Sequence, residues 1–153
     1  NYYNNHKRII QTPAHVMILT EMNHDARIVR LNAEHRQASA ASWFGDSIGY
    51  WEGETLVVET RHFGEFPPLS GADKNLQVTE HFTRQDDGSM RYRFLVKNPE
   101  MWAQPWGGEY VWASSDGKIY EYACHEGNYA LGNIMRGARE LEKESRAAQA
   151  NAG

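Results

Sequence analysis

The sequence predicts a mainly β protein, an antiparallel barrel or half-barrel followed by one C-terminal α-helix. Three observations carry that expectation. Short runs rich in β-branched and aromatic residues recur at close spacing along most of the chain. Residues that favour tight turns join those runs in pairs. Only near the end does the apolar spacing change from alternation to threes and fours.

The elements follow in order. HVMILTEM (15–22) leads through Asn23-His24-Asp25 into ARIVRL (26–31), a first hairpin in which Asn and Asp favour the turn on backbone grounds. Residues 48–51 and 55–63 flank Glu52-Gly53-Glu54, a second hairpin. A third joins 77–84 to 90–97 through Asp86-Asp87-Gly88, and a fourth joins 109–114 to 119–124 through Asp116-Gly117. Glycine in these turns supplies the positive φ that a tight reversal needs. Eight or nine strands so spaced suit a barrel or sandwich. Residues 64–75, with Pro67-Pro68 and Gly71, form a loop that is a flap over the barrel mouth, and 98–108 form a second loop rich in Trp and Pro.

Leu131, Ile134, Met135, Ala138 and Leu141 then make one helical stripe, opposite Glu140, Glu142, Lys143, Glu144 and Arg146. The helix is expected over 128–146, capped by Asn128, plugging or flanking the barrel, with a frayed tail from Ala147. The whole chain, 1–153, reads as one barrel domain with this helix. Such meanders resemble the lipocalin-like barrels, which close most of their edges around a cavity.

Composition excludes several classes. The chain has 153 residues, 41% hydrophobic and 24% charged, which suits an ordinary globular core. Its net charge of −4, with acids and bases interleaved, offers no basic stripe for nucleic acid. No apolar run is long enough for membrane insertion as a helix. One cysteine excludes an internal disulfide and a cysteine-rich zinc site. Seven histidines show neither H-x-H nor H-x-x-x-H spacing, so neither a metal nor any other cofactor is expected. The start at Asn1-Tyr2-Tyr3-Asn4-Asn5 reads as a processed or truncated end, so a missing N-terminal segment or a homo-oligomer could complete the molecule.

Two long motifs, WFGDSIGYWEGETLVVET (43–60) and YEYACHEGNYALGNIMRGARELE (120–142), together with residues 1–31, resemble a largely uncharacterised family of exported bacterial proteins. The resemblance covers nearly the whole chain. It implies export to the periplasm or beyond, and that this chain corresponds to the C-terminal part of the family's longer proteins. It brings no catalytic residues with it.

Cys124, His125 and Glu126 stand side by side, but alternation sends His125 to the opposite face from the other two. The trio reads as the joint between strand and helix, with Glu126 near the positive helix start. Gly45–Gly49 lacks the frame of a nucleophile elbow, and Ser47 simply begins a strand.

Polar residues in apolar strand rows are more informative. Leu76, Val78, Glu80 and Phe82 alternate on one face, opposite Met90, Tyr92, Phe94 and Val96, so Glu80 is the odd carboxylate in an apolar wall. His62 continues the row Leu56, Val58, Thr60, and Glu121 sits in the row of Ile119 and Ala123. A poorly solvated carboxylate near an imidazole suits general acid–base work. Glu80 and His62 are therefore the candidate catalytic pair, with Glu121 assisting. The alternative is that Glu80 belongs to a structural network held by Arg30, Arg61 or Arg84. Trp51, Tyr92, Trp106 and Tyr122 are the candidate ligand-binding aromatics.

The expected function is a barrel that binds a small molecule, an apolar aromatic or hydroxylated ligand, with acid–base lyase, isomerase or hydrolase chemistry. The alternative is a non-catalytic carrier or the structural part of a larger exported protein.

Overall fold

Of the seven pairings between chain-neighbouring strands, six are antiparallel, as hairpins or meanders dictate. The exception sits between the third and the fourth. The structure is a computed structural model and describes residues 6–123, 126–127 and 129–151. The chain divides into two compact units, 1–120 and 121–153.

The first unit is one eight-stranded sheet in the order β1 to β8, curled into a half-barrel. Its strands are β1 (Lys7–Gln11), β2 (His15–Thr20), β3 (Ala26–Leu31), β4 (Asp46–Glu52), β5 (Thr55–Arg61), β6 (Gln77–Arg84), β7 (Met90–Lys97) and β8 (Trp106–Trp112). The first three predicted hairpins are β2–β3, β4–β5 and β6–β7. In the first, a single 3-10 turn at Met22–His24 reverses the chain, with Asn23 and His24 both at positive φ. β1, unread in the sequence, pairs with β2 as an exposed edge.

The fourth hairpin does not form. β8 is its first arm, but residues 113–123 have no strand partner. The Tyr120 N–H instead donates to the Glu21 carboxylate at 3.1 Å. Trp106 consequently lies in a strand rather than in the loop that precedes it.

β3 and β4 run parallel, pairing Val29 with Ser47, Arg30 with Ile48 and Leu31 with Gly49. The 14-residue stretch 32–45 carries the chain back to the same end, as parallel pairing demands. Gly49 makes the close approach workable. A Cβ there would lie 2.8 Å from Val29 Cγ1 and 3.1 Å from the Val57 carbonyl.

The registers define one concave face. Val16 and Ile18, Val29 and Leu31, Leu56 and Val58, and Phe82 and Tyr92 all fall on it by alternation. Val16, Ile18, Val29, Leu56, Val58 and Phe82 are its buried core. A second cluster, Phe63, Leu76 and Val96, packs beneath the 64–75 loop through Leu69 and Ala72.

The second unit contains α1 (Ala130–Asn151). It runs further than expected, because Ala147, Ala148 and Ala150 favour helix over a frayed tail. The stripe from Leu131 to Leu141 lies along one side, and its Leu131, Ile134, Met135 and Leu141 are exposed. Cys124, His125 and the expected cap Asn128 lie outside the described residues. Glu126 and Gly127 occupy a turn.

Candidate functional site

Glu80 stands in β6 where alternation puts it, on the concave wall between Val78 and Phe82, and is 4% exposed. A carboxylate so placed needs partners, because burying an unpaired charge is costly. Arg27 provides them. Its Nη1 donates to Oε2 at 2.6 Å and its Nη2 to Oε1 at 3.0 Å, a bidentate fork. The Tyr92 hydroxyl adds a third bond, donating to Oε1 at 2.9 Å.

The expected arginines are engaged elsewhere or left aside. Arg61 pairs with Glu59, and Arg30 points to the other face. Alternation explains the choice: Arg27, Val29 and Leu31 share the concave side of β3, and Arg30 does not.

Burial, and then the neighbouring Glu80 carboxylate, pushes the Tyr92 hydroxyl well above the ordinary tyrosine range. The Tyr92 ring stacks on Trp112 at 4.5 Å between centroids and leans on Phe82 at 5.0 Å. Further along the same wall it is followed by Phe94 and Tyr110, parallel to within 10° of one another. A cavity of about 290 Å³ opens against this group. Ile18, Phe44, Phe82 and Trp112 form apolar wall, interrupted where Lys7, Arg27, Glu80 and Tyr92 converge.

His62 does not join Glu80. β5 ends at Arg61, and His62 takes φ +56°, which breaks the alternation that would have turned it inward. Along the strand it is also four positions beyond Val58, the register partner of Glu80, roughly 13 Å at 3.3 Å per residue. Its ring instead meets His35 edge-on at 5.8 Å.

His35 belongs to a second polar group around Asp46, which is 7% exposed. Asp46 accepts from Arg30 Nη2 at 3.0 Å to both oxygens, from the Arg36 backbone N–H at 3.0 Å, and lies 3.0 Å from His35 Nδ1. Burial opposes the Asp46 charge, but these donors outweigh it and hold its pKa below the usual carboxylate range. By register Asp46 and Arg30 lie on the face opposite Glu80, so the sheet separates the two groups.

Of the predicted aromatics, Tyr92 lines the cavity. Trp51 is half exposed near the end of β4, and Trp106 packs against Trp102 and Phe94. Glu121 and Tyr122 belong to the second unit, in a segment without regular structure. Sequence reasoning missed Arg27, Asp46 and His35. The parity of Arg27 with Val29 and Leu31 was the one available signal. Among the described residues no three His, Cys, Asp or Glu side chains gather as a metal-ligand set, and no helix is long and apolar enough to cross a membrane.

Compared with known protein families, with curated proteins and with solved structures, the chain matches none.

Proposed function

We propose that the half-barrel binds a small, ring-bearing molecule in its interior cavity and holds it without covalent chemistry. The observation that carries this is the cavity itself. Its apolar wall is interrupted by the fixed group Arg27, Glu80 and Tyr92, with Thr20 and Asp25 also on the lining, and such placed polar groups are how small-molecule sites orient a ligand. At about 290 Å³ it sits at the small end of such sites, the size of one or two rings. Trp112 and Phe82 offer flat walls, Arg27 keeps N–H groups beyond its fork to Glu80, and the Tyr92 hydroxyl oxygen remains an acceptor.

Binding is favoured over turnover because Glu80 already takes three donors on its two oxygens. A substrate proton would compete with all of them. The histidine that the sequence paired with Glu80 is also elsewhere, since His62 keeps company with His35. The resemblance of residues 43–60 and 120–142 to exported bacterial proteins supports placing this binding outside the cytoplasm, which fractionation of an epitope-tagged full-length protein would test.

The test of binding is native mass spectrometry of the purified protein beside a denatured control, followed by titration with p-cresol and 4-hydroxybenzoate. An added mass lost on denaturation, or saturable quenching of tryptophan emission that disappears in Trp112→Ala, is expected. An apo protein that neither compound perturbs would end this reading.

A further inference from the structure

The half-barrel leaves two edges, β1 and β8, which are not hydrogen-bonded to each other. A cation–π contact spans the gap: the Lys7 ammonium lies 5.7 Å from the centroid of the Trp112 ring. Outside that contact is a second and larger cleft of about 760 Å³. Lys7 and Trp112 line both this cleft and the interior cavity, so the two spaces share a wall made of that pair.

The outer cleft has a distinct chemistry. His6, Lys7 and Arg8 border it on the β1 side, and Arg84 borders it at the end of β6. Met90 and Trp112 give it an apolar floor. Among the described residues no Asp or Glu lines it. In a chain of net charge −4 this gathering of bases runs against composition. Arg8 and Arg84 are exposed, and neither joins an ion pair among the described residues. By register Arg84 shares the face of Met90 and Trp112, whereas Arg8 lies with Leu19 on the other face and borders the cleft at the edge of β1. The Arg84 guanidinium is therefore the fork open to a ligand, and such a fork matches carboxylate and phosphate oxygens. Charges of one sign in a cleft also raise the local concentration of the opposite sign.

We infer that the outer cleft is an anion-selecting vestibule. The ligand it admits carries a carboxylate, phosphate or sulfonate on an apolar ring. The head group meets Arg84, and the ring passes along Trp112 toward the interior. This inference rests on the interior being a ligand site, and it adds the charge of the ligand and the route by which it arrives.

Isothermal titration of the full chain with 2-naphthoate, 1-naphthyl phosphate and the uncharged 2-naphthalenemethanol tests it. At low salt at least one anion is expected to bind about tenfold or more tighter than the alcohol, the scale of a charge-assisted hydrogen bond. That advantage should shrink in raised salt. In Arg84→Gln the advantage should vanish while the affinity for the alcohol stays, which also shows that the variant is folded. Equal binding of alcohol and anions, or a preference that survives in Arg84→Gln, would overturn the vestibule and leave the interior site standing. Binding of none of the three would overturn the interior site and the vestibule with it.

Discussion

Arg27 and Glu80 join β3 to β6 across the concave side of the sheet, with β4 and β5 between them in the strand order. The pair is a strut as much as an ion pair, since it fixes how far the two walls stand apart. A buried pair contributes little over a well-packed apolar substitute, whereas losing one partner strands the other.

The first prediction follows. Arg27→Ala should destabilise the protein by about 3 kcal/mol, the lower end for breaking a buried pair, because the Arg27 side chain remains 23% exposed. Arg27→Met/Glu80→Leu together should recover most of that loss. Urea unfolding of the three variants decides it, and a single variant of wild-type stability would refute the strut.

Tyr92 gives an alkaline prediction. Its hydroxyl is held neutral by burial and by the Glu80 carboxylate, so its folded pKa is raised. Stability from this group is complete below the unfolded value, about 10, and is lost as pH rises beyond it. The expected slope is about 1.4 kcal/mol per pH unit above that point. Tyr92→Phe should remove this slope while costing about 1.5 kcal/mol near neutrality, the loss of one bond to a charged acceptor. Unfolding midpoints between pH 8 and 11 provide the measurement.

Asp46 gives the acid counterpart. Its folded pKa is depressed, so its contribution is present above the unfolded value, about 4, and fades as pH falls through the folded one. Asp46→Asn should be less stable at pH 6 and should lose less on acidification than the parent. Parallel acid-unfolding curves would contradict the role given to Arg30, Arg36 and His35.

Gly49 gives a packing prediction. Gly49→Val drives a side chain into Val29 and the Val57 carbonyl, and overpacking of this kind costs about 1–3 kcal/mol. A thermal melt unchanged by the substitution would mean that β3 and β4 can separate without penalty.

What the sequence made legible was local. Alternation set Glu80 on an apolar wall facing the row of Tyr92, and the structure keeps both there. It could not choose a partner for Glu80, because that choice depends on how a strand three places away in the sheet is turned. Ile28 blurred the parity of β3 by making both of its faces look apolar. His62 was misread because its positive φ is invisible to a period-two pattern. The fourth hairpin had good turn residues at Asp116-Gly117, yet the Tyr120 N–H found the Glu21 carboxylate instead of a ladder. β1 was missed because an exposed edge strand carries little burial pattern.

The parallel pairing of β3 with β4 carries a consequence for how the molecule assembles and comes apart. β1 to β3 form one run of antiparallel hairpins, and β4 to β8 form another. Within each run most ladders close loops of eight residues or fewer, cheap in chain entropy, the exception being the 15-residue stretch 62–76 between β5 and β6. Only the short ladder from Val29–Ser47 to Leu31–Gly49 joins the two runs by backbone. Both buried ion pairs cross that junction, and in each the cation comes from β3 while the anion comes from the later run. The N-terminal three strands are thus expected to open as one group, held to the rest by the short parallel ladder and by the two ion pairs. Amide hydrogen exchange would see them open together, ahead of β5 and β6, and would see salt hasten that opening.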